Sequence, residues 1–186
     1  MINQPANAAL ATSSAPLLIV IDMQLRLAPA MADYQEVCAR VKLLTEVADK
    51  LELEHIITEQ NPQGLGTTDP SLVSASAKVV AKDTFSAVQS EAFIGAIEEL
   101  GESHFFLCGM ESHVCVYHTA NELLALGYRV TVLADAVCSR DPENKALALA
   151  QLRHNGAQIC SSETAIFAWM NSCRHPQFRD ILALIK

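Results

Sequence analysis

The sequence predicts a three-layer α/β/α domain around a six-stranded, mostly parallel sheet. Three observations carry that expectation. Short apolar runs alternate with amphipathic helical stretches along nearly the whole chain, a pattern that builds a parallel sheet through right-handed crossovers. The chain has 186 residues, the size of one domain. Hydrophobic residues make up 51% and charged residues 18%, which excludes disorder as the dominant state.

Met1 to Pro16 is rich in Ala, Ser and Asn, holds no Lys or Arg, and reads as an N-terminal arm ahead of a domain at 17–186. Leu17–Ile21 is wholly apolar, as suits a strand buried on both faces. Tyr34–Glu52 reads as a helix with Val37, Val41, Leu44, Val47, Ala48 and Leu51 on one stripe. His55–Thr58 is a second strand, Asn61–Gly66 a turn-rich loop and Lys78–Lys82 a third strand. Glu91–Leu100 is helical, with Gly101 as its C-cap signal. Phe105–Gly109 is a fourth strand, followed by a helix from His113 to Leu126 that Gly127 closes. Arg129–Ala134 is a fifth strand. Asp141-Pro142 opens a helix with proline at its first position, and the helix runs to about Asn155. Ala157–Cys160 is a short sixth strand, with small helices at Glu163–Met170 and Pro176–Ile185. The whole reads as Rossmann-like, but no G-x-G-x-x-G follows the first strand, which disfavours dinucleotide binding.

Charge and cysteine usage narrow the function. The formal net charge of −8 argues against nucleic acid or an anionic membrane surface as partner. No apolar run approaches the ~20 residues that span a bilayer, and the arm lacks the basic region of a leader, so a cytoplasmic location is expected. The six cysteines include no C-x-x-C pair, which argues against zinc ribbons and thioredoxin-type motifs. Most are expected to be free, buried, apolar residues; Cys108, inside a strand, is the plainest case.

Ligands of such sheets sit beyond the carboxyl ends of the strands. Asp22 follows the first strand, Lys82 ends the third, Gly109–Cys115 follows the fourth and Asp135 the fifth. A carboxylate, an ammonium and a thiol on one edge are the parts of a nucleophilic site: base, cation and nucleophile. Cys115 falls in the first turn of a helix, with Ser112 as candidate N-cap, where backbone N–H groups favour a thiolate and can hold an oxyanion.

Leu17–Gln24 (LLIVIDMQ), Val80-Ala81-Lys82 and Gly109–Ala120 (GMESHVCVYHTA) resemble the isochorismatase-like cysteine hydrolases. Arg129–Arg140 (RVTVLADAVCSR) and Gly156–Phe167 (GAQICSSETAIF) extend the resemblance. Thr58–Gly66 (TEQNPQGLG) and His175–Phe178 look like the isochorismatase domain-containing branch. The resemblance implies Cys115 as nucleophile, Asp22 as general base and Lys82 as the group that lowers the thiol pKa. It further implies a cis peptide between Met110 and Glu111 that aims the Glu111 and Cys115 N–H groups at one oxyanion. The implied reaction is cleavage of a C–N bond, amide or N-carbamoyl, of a small molecule through a Cys115 thioester.

Departures from family patterns refine this. Members that bind a metal carry Asp-x-His after the second strand, where this chain has Glu59-Gln60-Asn61-Pro62, so no catalytic metal and no cofactor are expected. Members that open isochorismate lack the cysteine. His113 and His118 stand i, i+5 and do not share a helix face well, which disfavours a metal pair. Glu59, Gln60, Phe85 and His113 are candidates to touch substrate. Asp135 reads as structural, and Trp169 as a helix-packing or subunit contact. Relatives commonly self-associate, so a homo-oligomer is expected, with the arm and the Trp169 helix as candidate contacts. Two other readings compete: a redox sensor forming a sulfenic acid on Cys115, with Cys138 as a possible partner, and a non-catalytic binding module.

Overall fold

Leu17–Ile21 forms the body of β1 (Ala15–Ile21), and all five of these side chains are buried. The computed structural model describes residues 15–186 apart from positions 32 and 102. The expected arm lies outside the described residues except for Ala15 and Pro16, which begin β1 and pair with Ser103 and His104. Successive β1 side chains point to opposite faces. Leu18 and Val20 enter one core with Val41, Leu44 and Val47 of α1 (Tyr34–Lys50), while Leu17, Ile19 and Ile21 enter the other. A strand apolar at every position is therefore required, because both faces are covered.

The sheet has the order β3-β2-β1-β4-β5-β6, with every pairing parallel. The strands are β2 (His55–Gln60), β3 (Lys78–Lys82), β4 (Ser103–Met110), β5 (Arg129–Cys138) and β6 (Gln158–Cys160). The chain winds outward from β1 through β2 to β3, then returns to the other side of β1 as β4. The topological switch point is thus the crevice beyond the carboxyl ends of β1 and β4. One face carries α1, α6 (Ser162–Met170) and α7 (Phe178–Ile185). The other carries α3 (Glu91–Leu100), α4 (Cys115–Ala125) and α5 (Pro142–His154).

Several boundaries move from the sequence reading. β2 continues through Glu59 and Gln60, so these are strand residues. Within the expected 61–66 loop, Pro62–Leu65 forms a single turn, α2, whose Gly64 amide donates to Asn61 Oδ1 at 3.2 Å. β5 runs to Cys138, because a register shift between Leu107 and Gly109 lets β4 keep pairing with Val137 and Cys138. Asp135 and Cys138 are therefore inside the strand. α4 begins at Cys115 with no side-chain cap, so Ser112 does not cap it. α7 begins at Phe178, after a turn in which the Gln177 amide donates to His175 Nδ1 at 3.2 Å. Among the described residues no helix is long and apolar enough to cross a membrane.

Candidate active site at the switch point

Asp22 takes the first position past β1 with a left-handed φ of 50°, a conformation that Asp tolerates better than most residues. The turn puts its carboxylate, fully buried, between two donors. Thr58 Oγ1 donates to Oδ1 at 2.6 Å and Lys82 Nζ to Oδ2 at 2.7 Å. The ammonium donates also to the carbonyls of Thr84 at 3.0 Å and Phe85 at 3.3 Å, so all three of its protons are placed. The Cys115 thiol is buried, 6% exposed, and close enough to Asp22 and Lys82 for both to act on its titration. Asp22, Lys82 and Cys115, from three separate strand ends, thus meet in one buried cluster.

The state of the thiol differs from the sequence expectation. Burial pushes the Cys115 thiol up, and the Asp22 carboxylate pushes it further; Lys82 pulls it down but is outweighed. The reason is charge balance. Asp22 and Lys82 already form a neutral buried pair, so an ionised sulfur would add an uncompensated charge. The resting group is a thiol beside a carboxylate. Alkylation with iodoacetamide is accordingly expected to be slower at Cys115 than at exposed Cys173 at neutral pH, and to accelerate as pH rises. Peptide mass mapping across pH 6–10 checks this, and selective labelling of Cys115 at pH 6 would contradict it.

The segment between β4 and α4 is held from β5. The Met110–Glu111 peptide is cis. Glu111 Oε2 accepts from the Arg140 amide at 2.9 Å and from Nε at 3.0 Å, and Oε1 accepts from Nη2 at 2.5 Å. Burial works against the Glu111 charge, but the Arg140 hydrogen bonds outweigh it and hold the carboxyl below the usual range. The Ser112 amide donates to the Cys138 carbonyl at 2.8 Å. The amides of Glu111 and Cys115 donate to no protein acceptor among the described residues. Arg140→Ala is expected to leave the buried Glu111 carboxylate short of partners and to cost about 1–3 kcal/mol in urea unfolding, with Arg140→Lys recovering part of it. Unchanged stability in Arg140→Ala would remove Arg140 from this role.

The expected substrate contacts divide. Glu59 is buried, and its Oε1 accepts from the Thr68 amide at 2.7 Å, so it clamps the following loop rather than facing the crevice. Gln60 is engaged through its backbone: its amide donates to Gln24 Oε1 at 2.9 Å and its carbonyl accepts from Gln24 Nε2 at 3.0 Å. Gln24, fully buried, also donates to the Gly66 carbonyl at 2.6 Å, and so fastens β1's exit to the β2 loop. Sequence reasoning gave Gln24 no role, although a polar residue three positions past a buried strand was the available signal. Phe85 is exposed beside the Lys82 contacts. His113 bonds Ser139 through Nδ1 at 2.9 Å and lines a shallow depression against α5 whose walls include none of Asp22, Lys82 and Cys115. Asp135 accepts from the Ser162 amide at 2.7 Å and from its hydroxyl at 2.5 Å, holding the start of α6. Trp169 stacks edge-on to Phe106 at 5.3 Å, a packing contact within the fold. Cys108 is buried inside β4. No group of three or more His, Cys, Asp or Glu among the described residues could hold a metal ion.

A family model for the isochorismatase domain matches residues 16–164. The chain therefore belongs to the isochorismatase-like family of α/β proteins, and its function is of the hydrolase type. Its similarity extends to the isochorismatase domain-containing branch. It is 34% identical to isochorismatase domain-containing protein 2A of Mus musculus over 174 residues, covering 91% of this chain and 82% of that protein. The Bos taurus isochorismatase domain-containing protein 2 is 36% identical over 173 residues, with the same coverage. A solved structure of MAR1 ribonuclease from Caenorhabditis elegans superposes with a TM-score of 0.86 at 30% identity, covering 92% of this chain and 90% of that one. The fold is shared with YcaC from Pseudomonas aeruginosa, at TM-score 0.85, 24% identity, and 92% and 88% coverage.

Proposed function

We propose that this chain is a metal-independent cysteine hydrolase that cleaves the C–N bond of a small amide or N-carbamoyl compound. The observation that carries the reading is the buried thiol of Cys115 beside a carboxylate, Asp22, that is itself paired to Lys82. A thiol held against a carboxylate is arranged to lose its proton at the moment of attack, so no standing thiolate is needed.

The steps follow from that arrangement. Asp22 takes the S–H proton as sulfur bonds to the substrate carbonyl carbon. The carbonyl oxygen, now negative, rests on the amides of Glu111 and Cys115, which have no protein acceptor among the described residues. The C–N bond breaks as the protonated Asp22 gives its proton to the leaving nitrogen. Water then loses a proton to Asp22 and adds to the thioester; the C–S bond breaks and the proton returns to sulfur. Lys82 keeps Asp22 in place throughout by its bond at 2.7 Å. Glu59, Gln60 and Asn61 stand where metal-binding members carry their ligands, and Glu59 is already committed to Thr68.

The ribonuclease name of the C. elegans relative suggests a second chemistry. A chain of net charge −8, with its candidate nucleophile 6% exposed, is poorly suited to a polyanion.

The test is a panel of small primary amides and N-carbamoyl compounds, read by ammonia release, on wild type and Cys115→Ser. Turnover is expected in wild type, a loss of at least about a thousandfold in the variant, and an acyl adduct on Cys115 by intact mass at short times. Turnover that survives in Cys115→Ser would overturn the assignment. So would RNA cleavage retained in that variant with no amide consumed.

A further inference from the structure

Beside the Cys115 cluster runs a groove of about 400 Å3, between the loop after β3 and one face of α4. Its walls include Asp83, Phe85, Gln89, His118 and Glu122. We propose that this groove is a subsite for a positively charged substituent of the substrate, an alkylammonium or guanidinium group, whose scissile carbonyl lies at Cys115. The proposal rests on the hydrolase reading above and adds the charge class of its substrate.

Position is the first argument. The groove and the site share a wall: the 84–85 backbone that borders the groove is held from inside by Lys82 Nζ, at 3.0 and 3.3 Å. Cys115, His118 and Glu122 stand at i, i+3 and i+7 of α4, on one face. Glu122 therefore lies two turns from the thiol, roughly 10 Å along the axis. A substrate with its carbonyl at the sulfur and a tail along α4 reaches it.

Electrostatics is the second argument. Glu122 is anchored by neutral donors alone, Ser86 Oγ at 2.8 Å and Gln89 Nε2 at 2.7 Å. Both oxygens are fixed in place and their charge is not cancelled. Asp83 adds a second carboxylate, and no Lys or Arg lines the groove. The Lys82 charge behind the wall is already paired with Asp22.

Shape supplies the third argument. The Phe85 ring is 57% exposed in a loop whose Ser86 and Ala87 are buried. The loop is pinned two residues further on, since the Ala87 amide donates to Thr119 Oγ1 of α4 at 2.9 Å. An aromatic held open to solvent beside two carboxylates attracts a cation through its face as well as through the field.

The test needs no known substrate. The protein is treated separately with three methanethiosulfonates: neutral methyl, cationic trimethylammonium-ethyl and anionic sulfonatoethyl. Each forms a mixed disulfide with the thiol and releases methanesulfinate. The rate at Cys115, from peptide mapping, is divided by the rate at exposed Cys173 in the same sample. The cation-to-anion ratio at Cys115 is expected to exceed that at Cys173 about tenfold, the scale of one or two carboxylates within roughly 10 Å. It is expected to collapse in Asp83→Asn/Glu122→Gln, while the neutral reagent reacts unchanged. A ratio equal in wild type and variant overturns the subsite, as does a Cys115 that reacts with none of the three. Loss of charge preference with amide turnover intact removes the subsite alone. Charge preference with no amide turnover removes the hydrolase reading and leaves a cation groove beside the cysteine.

Discussion

Gly109→Ala is expected to cost at least about 4 kcal/mol, lowering the melting temperature by on the order of 10 °C or preventing soluble expression. Gly109 ends the part of β4 that lies directly against β1, paired with Ile21. A Cβ on it would stand 2.1 Å from the Ile21 carbonyl oxygen and 2.7 Å from the Ile21 nitrogen. Both are main-chain atoms in the centre of the sheet, so no side-chain rotation relieves the overlap. The φ of 110° adds a conformational cost of about 1–2 kcal/mol. Gly127→Ala separates the two contributions, because its φ of 87° is also positive but a Cβ there meets nothing within 4 Å. Gly127→Ala should lose only the conformational part. Equal losses in the two variants, by urea or thermal unfolding, would show that the close approach at Ile21 is not limiting. The approach matters to the site: it sets the β4 exit, and hence Cys115, beside the Asp22 turn that follows Ile21.

The outline of the fold was legible because its signals are local. The LLIVI run needs two covered faces, and α1 buries Val37, Val41, Leu44, Val47 and Ala48, all on the stripe its spacing marks. The strand-end rule was enough to single out Asp22, Lys82 and Cys115, because parallel strands deliver their carboxyl ends to one edge. What supports the site was not legible. Gln24 acts on backbone groups 36 and 42 positions away, and Arg140 on a carboxylate 29 positions away. Contacts of that kind leave no spacing in the chain. The end of β5 was misplaced because the shift between Leu107 and Gly109 is a property of the pairing, not of the β5 sequence. The thiol was misjudged for a related reason. A helix start and a lysine are local arguments for a thiolate, whereas burial and the Asp22 charge come from the fold and prevail.

The largest functional loss is expected when the buried pair is broken, and the two halves should fail in opposite ways. Asp22 and Lys82 are both without side-chain exposure. Asp22→Asn leaves a buried ammonium with carbonyl acceptors and no counter-charge; Lys82→Met leaves a buried carboxylate with Thr58 as its remaining donor. Each single change is expected to cost about 3–5 kcal/mol, and the double variant less than the sum, because removing both charges leaves neither uncompensated. Turnover should vanish in all three. The reactivity of Cys115 should not move in parallel. The Asp22 charge raises the thiol pKa and Lys82 lowers it. Alkylation at a fixed mildly alkaline pH should therefore speed up in Asp22→Asn and slow down in Lys82→Met, with accessibility checked by the neutral methyl thiosulfonate. That divergence separates two roles that a simple activity assay merges. A variant with a more reactive thiol and no turnover locates the defect in proton transfer, where Asp22 is needed as base and then as acid. If Asp22→Asn retained turnover, the proton would have to be carried by another group, and the mechanism proposed for Cys115 would fail at its first step.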